Sequence, residues 1–298
     1  MSSAVAKNGS LTMAAAVASL LAPIAALHAA PSTVDDRIAL SAQGSSLTGT
    51  GGGGGASAAW LHNFDADTLL GVAAEYQALS VSHWAFASLS GAMTRGTGDQ
   101  RYTFYGEAHE GAGRNGPNAF KYRLEALGVS GTYFHRLSVT VEDKQVNVES
   151  THGNLPKLQL AYLWNPRIQT TVGHQHSFGG NLGTRLTTAR VDVYASQVSF
   201  LAGAAYGQAS PALLGQLQTP PGQAQTGLIT LAPHDLREGY VGVVKSFPQL
   251  RGDLTLIVDY QRLSGGQGSV NGVPVSSSVS TRWTGTLNYV FHIGHHGT

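Results

Sequence analysis

Between Val279 and Ile293 apolar and polar positions alternate almost without a break. Val279, Thr281, Trp283, Gly285, Leu287, Tyr289, Phe291 and Ile293 share one parity; Ser280, Arg282, Thr284, Thr286, Asn288, Val290 and His292 share the other. Successive side chains on a strand point to opposite faces, so a period of two held over this length predicts one strand well beyond the usual five or six residues. Its first face is apolar with aromatics near both ends, and its second is small and polar with one arginine.

The same plan recurs along the chain. Leu254, Leu256, Val258 and Tyr260 alternate with Asp253, Thr255, Asp259 and Gln261, and Tyr102, Phe104, Gly106 and Ala108 alternate with Arg101, Thr103, Glu107 and His109. Phe120, Tyr122, Leu124 and Ala126 alternate with Lys121, Arg123 and Glu125, and Leu158, Leu160, Tyr162 and Trp164 with Lys157 and Gln159. Read this way, strands fall at roughly 36–44, 55–62, 68–79, 84–94, 101–109, 120–130, 136–149, 155–164, 167–178, 184–194, 197–208, 236–247, 252–263 and 277–293. That makes about fourteen, with twelve or sixteen as the alternatives because the stretch around Asp143–Lys144 and the segment after Leu79 are weak.

Connections alternate in length. Asn63–Asp67, Gly131–His135, Asn165–Pro166 and Pro248–Arg251 are short, whereas Ser45–Gly54, Glu110–Ala119, Ala209–Asp235 and Ser264–Ser276 are long and rich in Gly, Ser, Pro, Asn and Gln. The run Gly51–Gly55 is expected to be a flexible loop tip, since no helical pattern follows it to make a phosphate cradle. Ala209–Asp235 carries four prolines together with Leu213, Leu214, Leu217, Leu228, Ile229 and Leu231, so it is expected to fold back over the mouth of the sheet.

Such strands build either a soluble sandwich, with the apolar face in a core, or a transmembrane barrel, with the apolar face in lipid and the polar face in a lumen. Aromatic strand ends, charges inside long strands and alternating connections favour the second. The expected fold class is therefore all-β: a closed antiparallel transmembrane β-barrel. Lumen-lining candidates are Arg101, Glu107, Lys121, Arg123, Glu125, Arg190, Asp192, Asp253, Asp259 and Arg282, and lipid-facing candidates are Trp164, Leu254, Leu256, Trp283, Leu287, Tyr289 and Phe291. Without water in the bilayer core each unpaired backbone polar group costs several kcal/mol, which is the reason the sheet must close.

The start of the chain adds a compartment. Lys7 is the only charge before Asp35, Leu11–Leu27 is apolar apart from a few small polar residues and one proline, and Ala29 and Ala30 follow. This is the pattern of a secretory signal peptide over residues 1–30, leaving 31–298 as a single barrel domain. Without Lys7 the remainder balances 17 basic against 17 acidic residues, which argues against a nucleic-acid partner. No cysteine is present, so disulfides and thiolate metal sites are excluded.

The leader, the missing cysteine, the alternating strands and the terminal Leu287-Asn288-Tyr289-Val290-Phe291 together resemble Gram-negative outer-membrane β-barrel proteins. The chain also resembles the small YaiO-type barrels associated with envelope polysaccharides, in overall pattern rather than in any motif. The resemblance implies a place in the outer membrane, contact with its lipids and lipopolysaccharide, and delivery by the barrel-assembly machinery, whose usual signal is a terminal aromatic. Here His292–Thr298 follow Phe291, a departure that puts recognition of that signal in question.

One segment raises the question of catalysis. In Gly173-His174-Gln175-His176-Ser177 a histidine and a serine lie close, as in outer-membrane lipid hydrolases, where the pattern His-x-Ser puts both on one face. His174 and His176 each lie on the face opposite Ser177, so no catalytic residue is assigned. His174 with His176, and His295 with His296, offer two ligands each, too few for a metal site, and no cofactor is expected. The leading expectation is a pore for passage or export of a polar solute or saccharide. Its rivals are a plugged barrel acting as a structural or adhesive surface protein, a lipid hydrolase, and a soluble periplasmic sandwich.

Overall fold

The computed structural model describes residues 35–47, 51–65, 67–79, 82–97, 100–115, 118–148, 151–209, 234–264, 267–270, 273–276 and 279–294. The leader, residues 210–233 of the longest connection, and His295 and His296 lie outside them.

Thirteen strands follow one another around the wall: β1 (Asp35–Leu47), β2 (Gly51–Asn63), β3 (Thr68–Leu79), β4 (Ser82–Thr97), β5 (Gln100–Asn115), β6 (Asn118–Tyr133), β7 (Leu137–Val148), β8 (Thr151–Asn165), β9 (Ile168–His176), β10 (Arg185–Tyr194), β11 (Val198–Ala209), β12 (His234–Phe247) and β13 (Gly252–Ser264). β14 (Gln267–Val270) and β15 (Val273–Ser276) form a separate hairpin, and β16 (Ser280–Gly294) returns to the wall. Every neighbouring pair is antiparallel, and β16 pairs with both β13 and β1, so fourteen strands close into a barrel without an edge. The expected fold class and strand number both stand.

The strands run further than the alternation alone suggested. Glu110–Ala119 is mostly strand, with β5 and β6 in register from Asn115 and Asn118 onward. Gly51–Gly55 is not a loop tip: these glycines belong to β2 and pair with Leu47–Gln43 of β1, Gly53–Gly55 also with β3. The reason is close packing. A Cβ on Gly55 would lie 2.9 Å from Gln77 Cγ, and one on Gly52 3.0 Å from the Ser45 carbonyl oxygen.

Both described ends of the wall, Asp35 and Gly294, lie at the same end as the short connections that follow Asn63, Tyr133, Asn165, Tyr194 and Phe247. At 134–136 Phe134 and His135 take φ of 54°, which reverses the chain at once and sets the register of β6 against β7. At 64–67 the Asp65 carboxylate accepts the Asp67 N–H at 2.8 Å and the Thr68 hydroxyl at 3.3 Å, and these bonds hold its pKa below the ordinary value. We refer to this as the turn end and to its opposite as the loop end.

Candidate functional site: wall and interior of the barrel

Local alternation and closure together place every side chain either outward or inward. Outward at mid-height are Leu40, Trp60, Val72, Leu89, Phe104, Leu127, Val141, Leu160, Val172, Val191, Phe200, Val241, Leu256 and Leu287, all exposed. Aromatic pairs border this belt. Tyr162 and Trp164 meet edge to face at 4.9 Å and Tyr289 and Phe291 at 4.4 Å toward the turn end, while Tyr260 and Trp283 meet at 4.9 Å toward the loop end. Of the lipid-facing candidates, Trp164, Leu256, Trp283, Leu287 and Phe291 are exposed on this outer face, and Leu254 and Tyr289 are half-buried on it.

The inward face has two zones. The first, nearer mid-height, is ionic. Lys144 Nζ lies 3.3 Å from Glu107 and 3.5 Å from Glu142, His109 lies 3.4 Å from Glu107, and the Tyr105 hydroxyl donates to Glu142 at 2.8 Å. The Lys144–Glu107 and Tyr105–Glu142 contacts reach between β7 and β5 across β6, because β6 presents only small residues there. Ala126 is opposite both Glu107 and Lys144; Gly128 is opposite both Tyr105 and Glu142. A Cβ on Gly128 would fall 2.3 Å from Tyr105 Cζ, so only glycine lets the ring cross. Around the remaining wall, Arg190 bonds Asp192, and Glu238, Gln261 and Arg282 form one cross-strand row with Asp259 and Thr284 beside it, all buried.

The second zone, toward the loop end, is an apolar collar. Trp84, Phe86, Phe120, Tyr122, Leu124, Val146, Val148, Leu155, Leu182, Leu186, Leu236 and Leu263 form one contiguous buried cluster reaching from β4 round to β13. Leu182 enters it from the 177–184 connection, which is bonded back onto β8: Phe178 and Asn154 exchange both backbone bonds, and Asn181 N–H donates to the His152 carbonyl at 2.9 Å.

Seven of the ten lumen candidates point inward: Arg101, Glu107, Arg190, Asp192, Asp253, Asp259 and Arg282. Arg101 bonds Asp67 at 3.1 Å, and Asp253 bonds His292 at 2.9 Å near the turn end. Lys121, Arg123 and Glu125 are a correction. They face outward, where Arg123 and Glu125 pair and with Gln145 and Asn147 line a shallow pocket of about 250 Å³. Their strand buries Phe120, Tyr122 and Leu124 instead, because beyond the apolar belt the outer face meets water and the inner face becomes the core. Glu75, Glu142, Lys144 and Glu238, all buried inward, were not singled out from sequence. Glu142 and Lys144 sit in the stretch that reads as weak, although Thr140, Glu142 and Lys144 do share a parity.

His174 and His176 are exposed on the outer face. His174 Nδ1 lies 3.0 Å from the Thr187 hydroxyl, and Ser177 Oγ accepts the Thr184 N–H at 2.7 Å.

A closed antiparallel barrel with an apolar outer belt, aromatic borders and an ionic interior has the fold of outer-membrane β-barrel proteins. Among solved structures of that fold, CymD, a monoaromatic hydrocarbon channel, is 9% identical over 92% of this chain and 92% of its own, with a TM-score of 0.55. A mutant of TodX, also a monoaromatic hydrocarbon channel, is 11% identical over 91% of this chain and 93% of its own, with a TM-score of 0.53. A Pseudomonas aeruginosa FadL homologue is 9% identical over 89% and 91%, with a TM-score of 0.51. No family model and no curated protein sequence matches the chain.

Proposed function

We propose that this protein is an outer-membrane channel for a small amphipathic solute. The observation that carries the reading is the two-zone interior: a collar of Leu, Val and aromatic side chains at the loop end leads to a layer in which Lys144 pairs with Glu107 and Glu142 and Arg190 with Asp192. The ionic layer suits the polar solute or saccharide expected from sequence. The collar adds a requirement, since a fully hydrated molecule entering it gives up hydrogen bonds that Leu and Val do not replace. A solute with one apolar face and one polar end meets both zones. The solved barrels of the same fold include monoaromatic hydrocarbon channels, which agrees with an apolar entrance. No hydrolase activity is assigned to His174–Ser177, because the Ser177 hydroxyl is engaged by the backbone of its own loop.

A second reading, a closed barrel with a structural or adhesive role, is favoured by one fact: Leu124, Leu155 and Leu236 at the collar are fully shielded from solvent. Planar-bilayer recording and proteoliposome uptake separate the two. The channel reading expects steady conductance and faster entry of a small aromatic alcohol than of a sugar of equal mass. Faster sugar entry returns the solute to the saccharide class, and silence in both assays overturns the channel.

A further inference from the structure

The outer wall carries an arrangement that folding by itself disfavours. Arg237 on β12 and Arg262 on β13 stand directly opposite each other in the antiparallel register, both exposed on the outward face. Side chains in that relation have Cβ atoms about 5 Å apart, and like charges there destabilise a sheet. On the β11 side Tyr206 opposes Arg237, whose guanidinium sits 5.8 Å from the ring centroid. On the β16 side Thr281 opposes Arg262. Arg185 on β10 faces the same way, opposite Gln208. The nearest outward carboxylate is Asp235, two residues from Arg237, and its Oδ1 is approached by Gln208 Nε2 at 3.5 Å. Three guanidinium groups therefore face outward around one carboxylate.

The height of this patch matters as much as its charge. Leu236 and Leu263, the sequence neighbours of the two arginines, point inward into the collar, so the arginines stand where the outer belt ends. Below them toward mid-height lie Val241, Val258, Tyr260 and Trp283, all on the outer face. At a similar level on the other side of the barrel, Glu110, Lys121, Arg123, Glu125 and Asp143 mix both signs. With Arg114 included, three cations there meet three carboxylates, whereas on the β10–β13 side Arg185, Arg237 and Arg262 meet Asp235 alone, among the described residues.

We propose that Arg237 and Arg262, with Arg185 beside them, form a docking site on the outer wall for the phosphorylated glucosamine headgroup of lipid A, with acyl chains lying along Val241, Val258, Tyr260 and Trp283. The proposal rests on the outer-membrane reading above. A phosphate between two facing guanidinium groups turns their repulsion into charge-assisted, bidentate hydrogen bonds. A free phosphate would meet an exposed and salt-screened pair, whereas a lipid adds the apolar contact of the belt.

The refolded protein in zwitterionic detergent is titrated with bisphosphorylated lipid A, with dephosphorylated lipid A and with inorganic phosphate, following tryptophan fluorescence, to which Trp283 beside the patch contributes. The bisphosphorylated form should bind at least tenfold more tightly than the dephosphorylated one. Arg237→Gln/Arg262→Gln should remove that difference, while Lys121→Gln/Arg123→Gln should change it less than twofold. Heat-modifiable migration checks that each variant is folded. Should the double variant not fold, Arg262→Gln alone, which relieves the repulsion, should weaken binding at least threefold. Equal binding of the two lipid A forms, or wild-type binding by a folded arginine variant, overturns the site; so does displacement of lipid by equimolar inorganic phosphate. A protein that fractionates with outer membranes yet does not discriminate the two forms fails this site alone. One recovered from the soluble periplasm fails the outer-membrane reading as well.

Discussion

β16 and β6 alternate equally well and use the alternation in opposite ways. In β16 one parity stays outward from Trp283 through Leu287 and Phe291 to Ile293, and the polar parity, Arg282, Thr284 and Asn288, is buried. In β6 the apolar parity changes along the strand. Phe120, Tyr122 and Leu124 are inward with Lys121, Arg123 and Glu125 outside; past Ala126 the outward apolar positions are Leu127 and Val129, and Ser130 and Thr132 face in. β7 repeats the change, with Val148 and Val146 inward and Val141, Val139 and Leu137 outward. No register slip is needed, since β6 and β7 pair residue by residue from Tyr122 to Tyr133. The side chains keep their faces and the chemistry trades places: the outer face is apolar at mid-height and charged toward the loop end, and the interior changes from an ionic layer to a packed apolar core.

This contrast can be broken at graded cost. The largest effect is expected from Lys144→Met. It removes the ammonium that reaches over Ala126 and leaves Glu107 and Glu142 buried as neighbours. Losing one partner of a buried pair costs about 3–5 kcal/mol. Urea unfolding of the refolded barrel measures it, and a shift smaller than a conservative surface change would mean that the layer is hydrated rather than buried.

Next comes Leu287→Arg, which puts a charge at mid-belt on the outer face and should cost about 2–4 kcal/mol in lipid. Thr286→Arg, on the inward parity of the same strand, should cost far less. Equal losses in vesicle unfolding would show that β16 does not present that face to lipid.

Ala126→Leu tests how β6 lets β5 and β7 touch. A larger side chain beneath the Lys144–Glu107 contact should cost about 1–3 kcal/mol through overpacking. Leu127→Ala, one residue along and 74% exposed, should cost about 0.5 kcal/mol or less, because lipid or detergent takes the place of the lost atoms. If Leu127→Ala is the more damaging of the two, the assignment of faces in β6 is reversed. The smallest effect belongs to Arg123→Gln, which should leave the unfolding midpoint unchanged because its pair with Glu125 is solvated.

How much of this was legible beforehand follows from the same two strands. The period of two, the turn residues and the charges inside long strands located fourteen strands, and most of their limits moved by only one to six residues. The faces of β13 and β16 were legible too, because one parity is apolar through the belt. Parity alone misplaces Lys121, Arg123 and Glu125, because it equates apolar with lipid-facing along the whole strand. The signal was present as the step from even to odd apolar positions between Leu124 and Leu127. The glycine run at 51–55 reads as a loop in sequence, because a glycine's role as a gap for Gln77 is visible only once β3 lies beside it.

By itself, then, the chain determined that it would be extended, antiparallel and closed, since alternation is a local property and an unpaired edge is costly in lipid. It could not settle which face is inside at each height, because a two-residue period reads the same with a core on either side. Register and closure decided that. They brought Glu107, Glu142 and Lys144 together over the small residues of β6, gathered leucines from β6, β8, β10, β12 and β13 into one collar, and set Arg237 opposite Arg262. Those neighbours are far apart in sequence and meet only when fourteen strands share one wall.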